Sequence, residues 1–85
     1  AYDDGVKCLD LVLESLEKDG SVELDFQGVE FVITAFLNPV IGDLIIKKGP
    51  DIMQKVKITN ATRNIIDKIK IVKDGALIKR EDLEE

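Results

Sequence analysis

Eighty-five residues, 45% of them hydrophobic and without a low-complexity tract, describe one small domain whose core would bury roughly 60 to 65% of the unfolded chain's surface. A formal charge of -5 with no Lys/Arg-rich run lacks the cationic footprint of a nucleic-acid binder, and apolar runs far shorter than roughly 20 residues, with no secretory layout at the N-terminus, point to a soluble, cytoplasmic protein with no membrane partner. The single cysteine, Cys8, and the absence of histidine leave neither an internal disulfide nor a familiar zinc cluster, and Cys8 is expected to act as a small hydrophobe on a helix flank.

The chain opens on Ala1 rather than Met, from which sequence upstream is expected. Residues 3–18 carry Val6, Leu9, Val12, Leu13 and Leu16 on one stripe, with Asp3 and Asp4 in the first turn, and predict a helix that stops at Lys18-Asp19-Gly20. Residues 22–26 alternate with period two and predict a strand. After Gly28 comes an apolar stretch, residues 31–37, and then Asn38-Pro39. Read locally, Asn38 caps a helix with Pro39 at its first position, leaving residues 31–37 extended. Val40, Ile41, Leu44 and Ile45 then share the buried side of a helix that closes at Lys47-Lys48-Gly49-Pro50. Residues 55–59 predict a second strand. Residues 62–73, with Ile65, Ile66, Ile69 and Val72 inward, predict a third helix ending at Lys73-Asp74-Gly75.

The fold class is therefore α/β, in the order α-β-α-β-α, with one domain over residues 1–75. Residues 76–85 form a charged C-terminal extension, either a last helical turn around Leu77, Ile78 and Leu83 or disordered. Two strands joined through a helix should be adjacent and parallel, with a right-handed crossover. Their alternation suggests one solvated face, with Glu23 and Asp25 pairing across to Lys55 and Lys57.

The run Leu24-Asp25-Phe26-Gln27-Gly28-Val29-Glu30-Phe31, followed by Thr34-Ala35-Phe36-Leu37, Ile41-Gly42-Asp43-Leu44 and Val56-Lys57-Ile58-Thr59-Asn60, resembles the STAS-like domains of bacteria and their phages, relatives of the anti-sigma factor antagonists. The resemblance spans residues 3–72. It implies a small STAS-like fold of parallel strands packed by helices, and a protein-binding role in signalling rather than catalysis. It also implies a helix starting near Thr34, with Pro39 in its second turn; that earlier start is favoured here. In the better-known antagonists, a Ser at the start of this helix is phosphorylated by an ATPase-type kinase, which releases the partner. Thr34 matches that position, so the implied partner is an ATPase-type kinase or an anti-sigma-like factor. The antagonists carry Asp-Ser-Ser-Gly, however, where this chain reads Ile33-Thr34-Ala35-Phe36.

Thr34 is thus a candidate phospho-acceptor, since a phosphate at a helix N-terminus meets unpaired N–H groups; the plainer reading is a cap to the N–H of Phe36 or Leu37. Asp25, Asn38 and Asn60 are candidate partner-binding residues. Asp25 lies near the C-terminal end of its strand, where ligands approach an open parallel sheet; its plainer role is a surface ion pair with Lys55 or Lys57. Asn60 is first of all a turn and cap residue. Gly42 is expected to allow close approach of its helix to a strand. No histidine, nucleophile elbow, phosphate loop or Gly-x-Gly-x-x-Gly is present, so no catalytic residue, cofactor or metal is expected. The acid pairs Asp3/Asp4 and Glu84/Glu85 read as solvated charge. Two alternatives remain: an oligomeric module whose sheet is completed by another chain through edge pairing, including a homo-oligomer, and a small-ligand or nucleotide pocket at the strand ends.

Overall fold

Helix α1 (Tyr2–Asp19) forms on the expected stripe, with Asp3 and Asp4 in its first turn and Lys18 in its last, each favourably placed in the helix dipole. The computed structural model describes residues 2–84; Ala1, Glu85 and the side chains of Tyr2, Asp82, Leu83 and Glu84 lie outside what is described. Leu9 and Val12 are buried, and Leu13 and Leu16 pack around them. The helix closes where Gly20 donates its N–H to the Leu16 carbonyl at 2.9 Å.

Strands β1 (Val22–Asp25) and β2 (Val56–Thr59) pair in parallel with Val22 against Val56, Glu23 against Lys57, Leu24 against Ile58 and Asp25 against Thr59. Phe26 extends the ladder by donating to the Thr59 carbonyl at 2.9 Å. The expected adjacency and direction hold. The alternation has a simple cause: Val22, Leu24, Val56 and Ile58 face the helices, while Glu23, Asp25 and Lys57 lie exposed on the other face. The helices thus cover only one side of this two-stranded sheet. The predicted charge pairs do not form as expected. Glu23 Oε2 instead accepts a hydrogen bond from Thr59 Oγ1 at 2.7 Å, and Asp25 bonds to Asn60. Short polar side chains at the strand ends reach these carboxylates without ordering a long lysine.

Between the strands, α2 (Thr34–Leu37), a π-helical segment (Asn38–Asp43) and α3 (Leu44–Lys48) run on as one helical rod. It begins at Thr34, as the resemblance implied, and Asn38 with Pro39 do not start it. Pro39 has no N–H for the carbonyl four residues back, and its ring would press on that carbonyl; the chain widens into a π turn at this point. The rod lies between α1 and α4 (Arg63–Glu84), and Leu37, Ile41, Leu44 and Ile45 are completely buried. At about 1.5–3 kcal/mol for each large side chain removed from water, this rod is the centre of the core. A 3-10 turn (Pro50–Lys55) leads from it into β2.

Two glycines behave differently from expectation. Helix α4 does not stop at Gly75 but continues to Glu84, because Ala76 is buried and Leu77 packs on the core. That burial outweighs the cost of about 1 kcal/mol of a glycine inside a helix. Of the residues expected to face inward on this helix, Ile65, Ile69 and Val72 do, whereas Ile66 is exposed. Gly42 approaches α4 rather than a strand: a Cβ there would sit 3.5 Å from Val72 Cγ1, an ordinary contact. The tight crossing is at Gly5, where a Cβ would lie 2.5 Å from both the Phe36 carbonyl oxygen and Pro39 Cγ.

Candidate functional site

The chain leaving β1 turns sharply. Val29 donates its N–H to the Phe26 carbonyl at 2.9 Å, and Gly28 holds φ at +81, the left-handed value that the third position of a type II turn requires. Asp25 supports the turn, its Oδ1 accepting from the Gln27 N–H at 2.9 Å. Residues 29–33 then run without regular structure to α2. Val32 faces the core, and its carbonyl accepts a 2.8 Å hydrogen bond from Lys68 Nζ on α4. With Val32 anchored, its alternating neighbours point outward: Phe31 is 73% exposed, Ile33 56% and Val29 36%.

These three side chains border a groove of about 510 Å³ that runs beside β1 and is completed by Cys8, Phe36 and Val40. Its lining is almost wholly apolar, and its only charged members are Glu23 and Asp25. Cys8 is half-buried, as expected for a small hydrophobe, burial pushes its thiol pKa up, and it forms part of the groove wall.

The sequence-predicted residues fall into two pairs. Asp25 and Asn60 meet at the C-terminal ends of the strands, where Asn60 Nδ2 donates to Asp25 Oδ1 at 2.9 Å. That bond, and the Gln27 N–H after it, hold the Asp25 carboxyl below the usual carboxylate range. Asn60 is a turn residue with φ +56, a conformation that Asn tolerates better than most side chains. The cap of α4 is supplied instead by Thr62, whose Oγ1 accepts from the Ile65 N–H at 3.3 Å. Thr34 and Asn38 form the second pair, one turn apart and both exposed, on a shallow groove between the rod and α4 that also includes Lys79. Thr34 does not cap its helix. Ile33 occupies the N-cap without a side-chain bond, and the N–H groups of Phe36 and Leu37 both reach the Ile33 carbonyl.

Sequence reasoning missed Val29, Phe31 and Ile33. Their period-two spacing was visible, but the same spacing fits a strand whose apolar face is covered. Among the described residues no helix is long and apolar enough to cross a membrane.

The Asp25–Asn60 bond carries a testable consequence. Asn60→Gly keeps the left-handed turn but removes the amide, so the Asp25 carboxyl should titrate at higher pH, which a carbon-detected NMR titration would read. The sign follows from linkage: a depressed folded-state pKa adds stability above the unfolded pKa, and that contribution is lost as pH falls through the folded value. Asn60→Ala should be the less stable of the two variants, by about 1 kcal/mol, because alanine dislikes this φ. An unchanged Asp25 titration in Asn60→Gly would show that the amide does not hold the carboxylate.

No curated protein and no solved structure matches the chain. Residues 4–65 match the family model described as STAS-like domain of unknown function (DUF4325), and with most of its length covered, including α1, both strands and the central rod, the chain belongs to that family.

Proposed function

We propose that this domain is a non-enzymatic regulatory module that binds a protein partner in the groove beside β1. The observation that carries this reading is the exposure of Phe31, Ile33 and Val29 together on one border of an apolar groove. Clustered exposed hydrophobes of this kind mark interaction surfaces, whereas scattered ones do not. The resemblance to anti-sigma factor antagonists supports a signalling partner of the anti-sigma or ATPase-kinase type. The test is to recover partners from the native host by cross-linking, reconstitute the pair from purified components, and compare wild type with the Phe31→Ser, Ile33→Ser double variant. Loss of two central apolar contacts should weaken binding by about tenfold or more. Equal affinity of the two forms would reject this groove as the docking site.

A second reading adds regulation at Thr34. Its hydroxyl is exposed and makes no capping bond, and it directly follows Ile33 on the border of the groove. A phosphate there would place charge beside an apolar contact. Partner affinity should then fall in Thr34→Glu and stay level in Thr34→Ala; identical affinities in all three forms would remove the switch.

A further inference from the structure

Residues 29–33 are fastened at both ends and at one point between. Val29 donates to the Phe26 carbonyl, and the Phe36 and Leu37 N–H groups reach the Ile33 carbonyl. Between those ends, among the described residues, the backbone of residues 30–32 receives a single hydrogen bond, from Lys68 Nζ to the Val32 carbonyl at 2.8 Å. Of the described lysines, Lys68 alone bonds to the protein. An ammonium offers three donors on a flexible stem, so this fastening is one that can change partner.

Lys68 also heads a row on α4. Val72, Gly75 and Lys79 follow it at spacings of four, three and four residues and so share its face of the helix, and all three line the groove that holds Thr34 and Asn38. Thr34 stands two residues beyond Val32, at most about 7 Å of extended chain. Lys68 is therefore at the Thr34 end of that groove, whereas Lys79, the other cation of the row, is about 16 Å further along the helix. A phosphate on Thr34 would offer this ammonium opposite charge and three strong acceptor oxygens, against the one neutral oxygen of the Val32 carbonyl.

We propose that Lys68 reads charge at position 34. With Thr34 unmodified, its ammonium fastens Val32 and orders residues 29–33. Phosphoryl transfer from a nucleoside triphosphate forms the bond between Thr34 Oγ and phosphorus, breaks the bond to the departing nucleoside diphosphate, and passes the hydroxyl proton to a base of the transferring enzyme. The phosphate then takes the Lys68 ammonium. The Val32 carbonyl loses its donor, and residues 29–33 loosen, carrying Phe31 and Ile33 with them. The proposal rests on the regulation at Thr34 set out above and supplies its mechanism: the charge acts on its apolar neighbours by unfastening them.

The protein carrying phosphothreonine at position 34, installed by chemical synthesis, is compared with its unmodified form by amide relaxation and phosphorus NMR. Order parameters of the residue 30–32 amides are expected to fall from about 0.85 to below about 0.6. The phosphate should lose its second proton below its ordinary pKa of about 6, because the ammonium favours the dianion. Lys68→Met should loosen the segment without any phosphate, gain nothing further from it, and return the phosphate to its ordinary titration; Lys79→Gln should leave the whole response intact. An ordinary phosphate titration in the otherwise native protein, a reading that needs no variant, overturns the proposal. So do order parameters that fall equally on phosphorylation with and without Lys68, or that Lys68→Met leaves unchanged. Partner affinity separates this device from the reading beneath it. If phosphorylation weakens binding as much in Lys68→Met as in the parent, regulation at Thr34 stands and Lys68 is not its reader. If the NMR responses appear and binding does not change, Lys68 reads the charge and regulation at Thr34 falls.

Discussion

Gly5→Ala should lower the stability of this domain by about 2–3 kcal/mol, an overpacking cost that corresponds to a fall of roughly 8–24 °C in Tm for a chain of this size. In an isolated helix the same change would help by about 1 kcal/mol. Here the new methyl would lie 2.5 Å from the Phe36 carbonyl oxygen and from Pro39 Cγ. A backbone oxygen in the first turn of the rod, backed by the buried Leu37, cannot step aside as a flexible side chain would. Either α1 lifts off the rod, exposing the neighbouring Leu9 and Val12, or its first turn unwinds. Gly75→Ala is the matched control, since nothing lies within 4 Å of its position and it sits inside α4. It should raise stability by about 1 kcal/mol, or roughly 4–8 °C. Thermal unfolding followed by circular dichroism separates the two. A Gly5→Ala protein as stable as wild type would mean that α1 does not rest on the Phe36 carbonyl.

Leu44→Ala is expected to cost about 2–5 kcal/mol, the range for a fully buried leucine with its residual cavity. Leu44 is completely buried and joins Leu9 and Val12 of α1 to Val56 of β2. Its loss therefore loosens the attachment of α1 and the sheet to the rod together. A domain of this length has a total stability of about 4–13 kcal/mol, so the variant could approach the unfolding threshold at physiological temperature. Leu11→Ala, at a residue 67% exposed on the outer side of α1, should stay within about 0.5 kcal/mol of wild type. Urea unfolding is the measurement. A small Leu44→Ala effect with an unchanged m-value would show that the cluster around Leu44 closes over the cavity.

The periodicities and the connection rules led to the parallel strand pair and most of the buried face, whereas the helix start at Thr34 came from the family resemblance, against the local reading. Val40, Ile41, Leu44 and Ile45 repeat at helical spacing, and all four are buried. Gly20 and Gly49 end helices at positive φ, +77 and +93. Gly75 carries the same Lys-x-Gly signal and ends nothing, because Ala76 and Leu77 gain more from the core than the glycine loses in the helix. Asn38-Pro39 is a standard local helix start that was overridden by burial of Leu37 and by a π turn able to absorb the proline ring.

The site divides along the same line. Asp25, Thr34, Asn38 and Asn60 were visible as polar residues near strand ends and a helix start, and all four are exposed. The Thr34–Asn38 pair follows from the helix repeat once the helix starts at Thr34, while the Asp25–Asn60 pair depends on the register of the two strands, an arrangement between segments distant in the chain. Element types and order follow from short-range chemistry: backbone propensity, capping, and the spacing of apolar side chains within a turn or a strand. Which apolar residues are left uncovered, at Phe31, Ile33 and Val29, and which glycine cannot change, at Gly5, follow from contacts between segments distant in the chain. Exposure and clearance are properties of the packed whole.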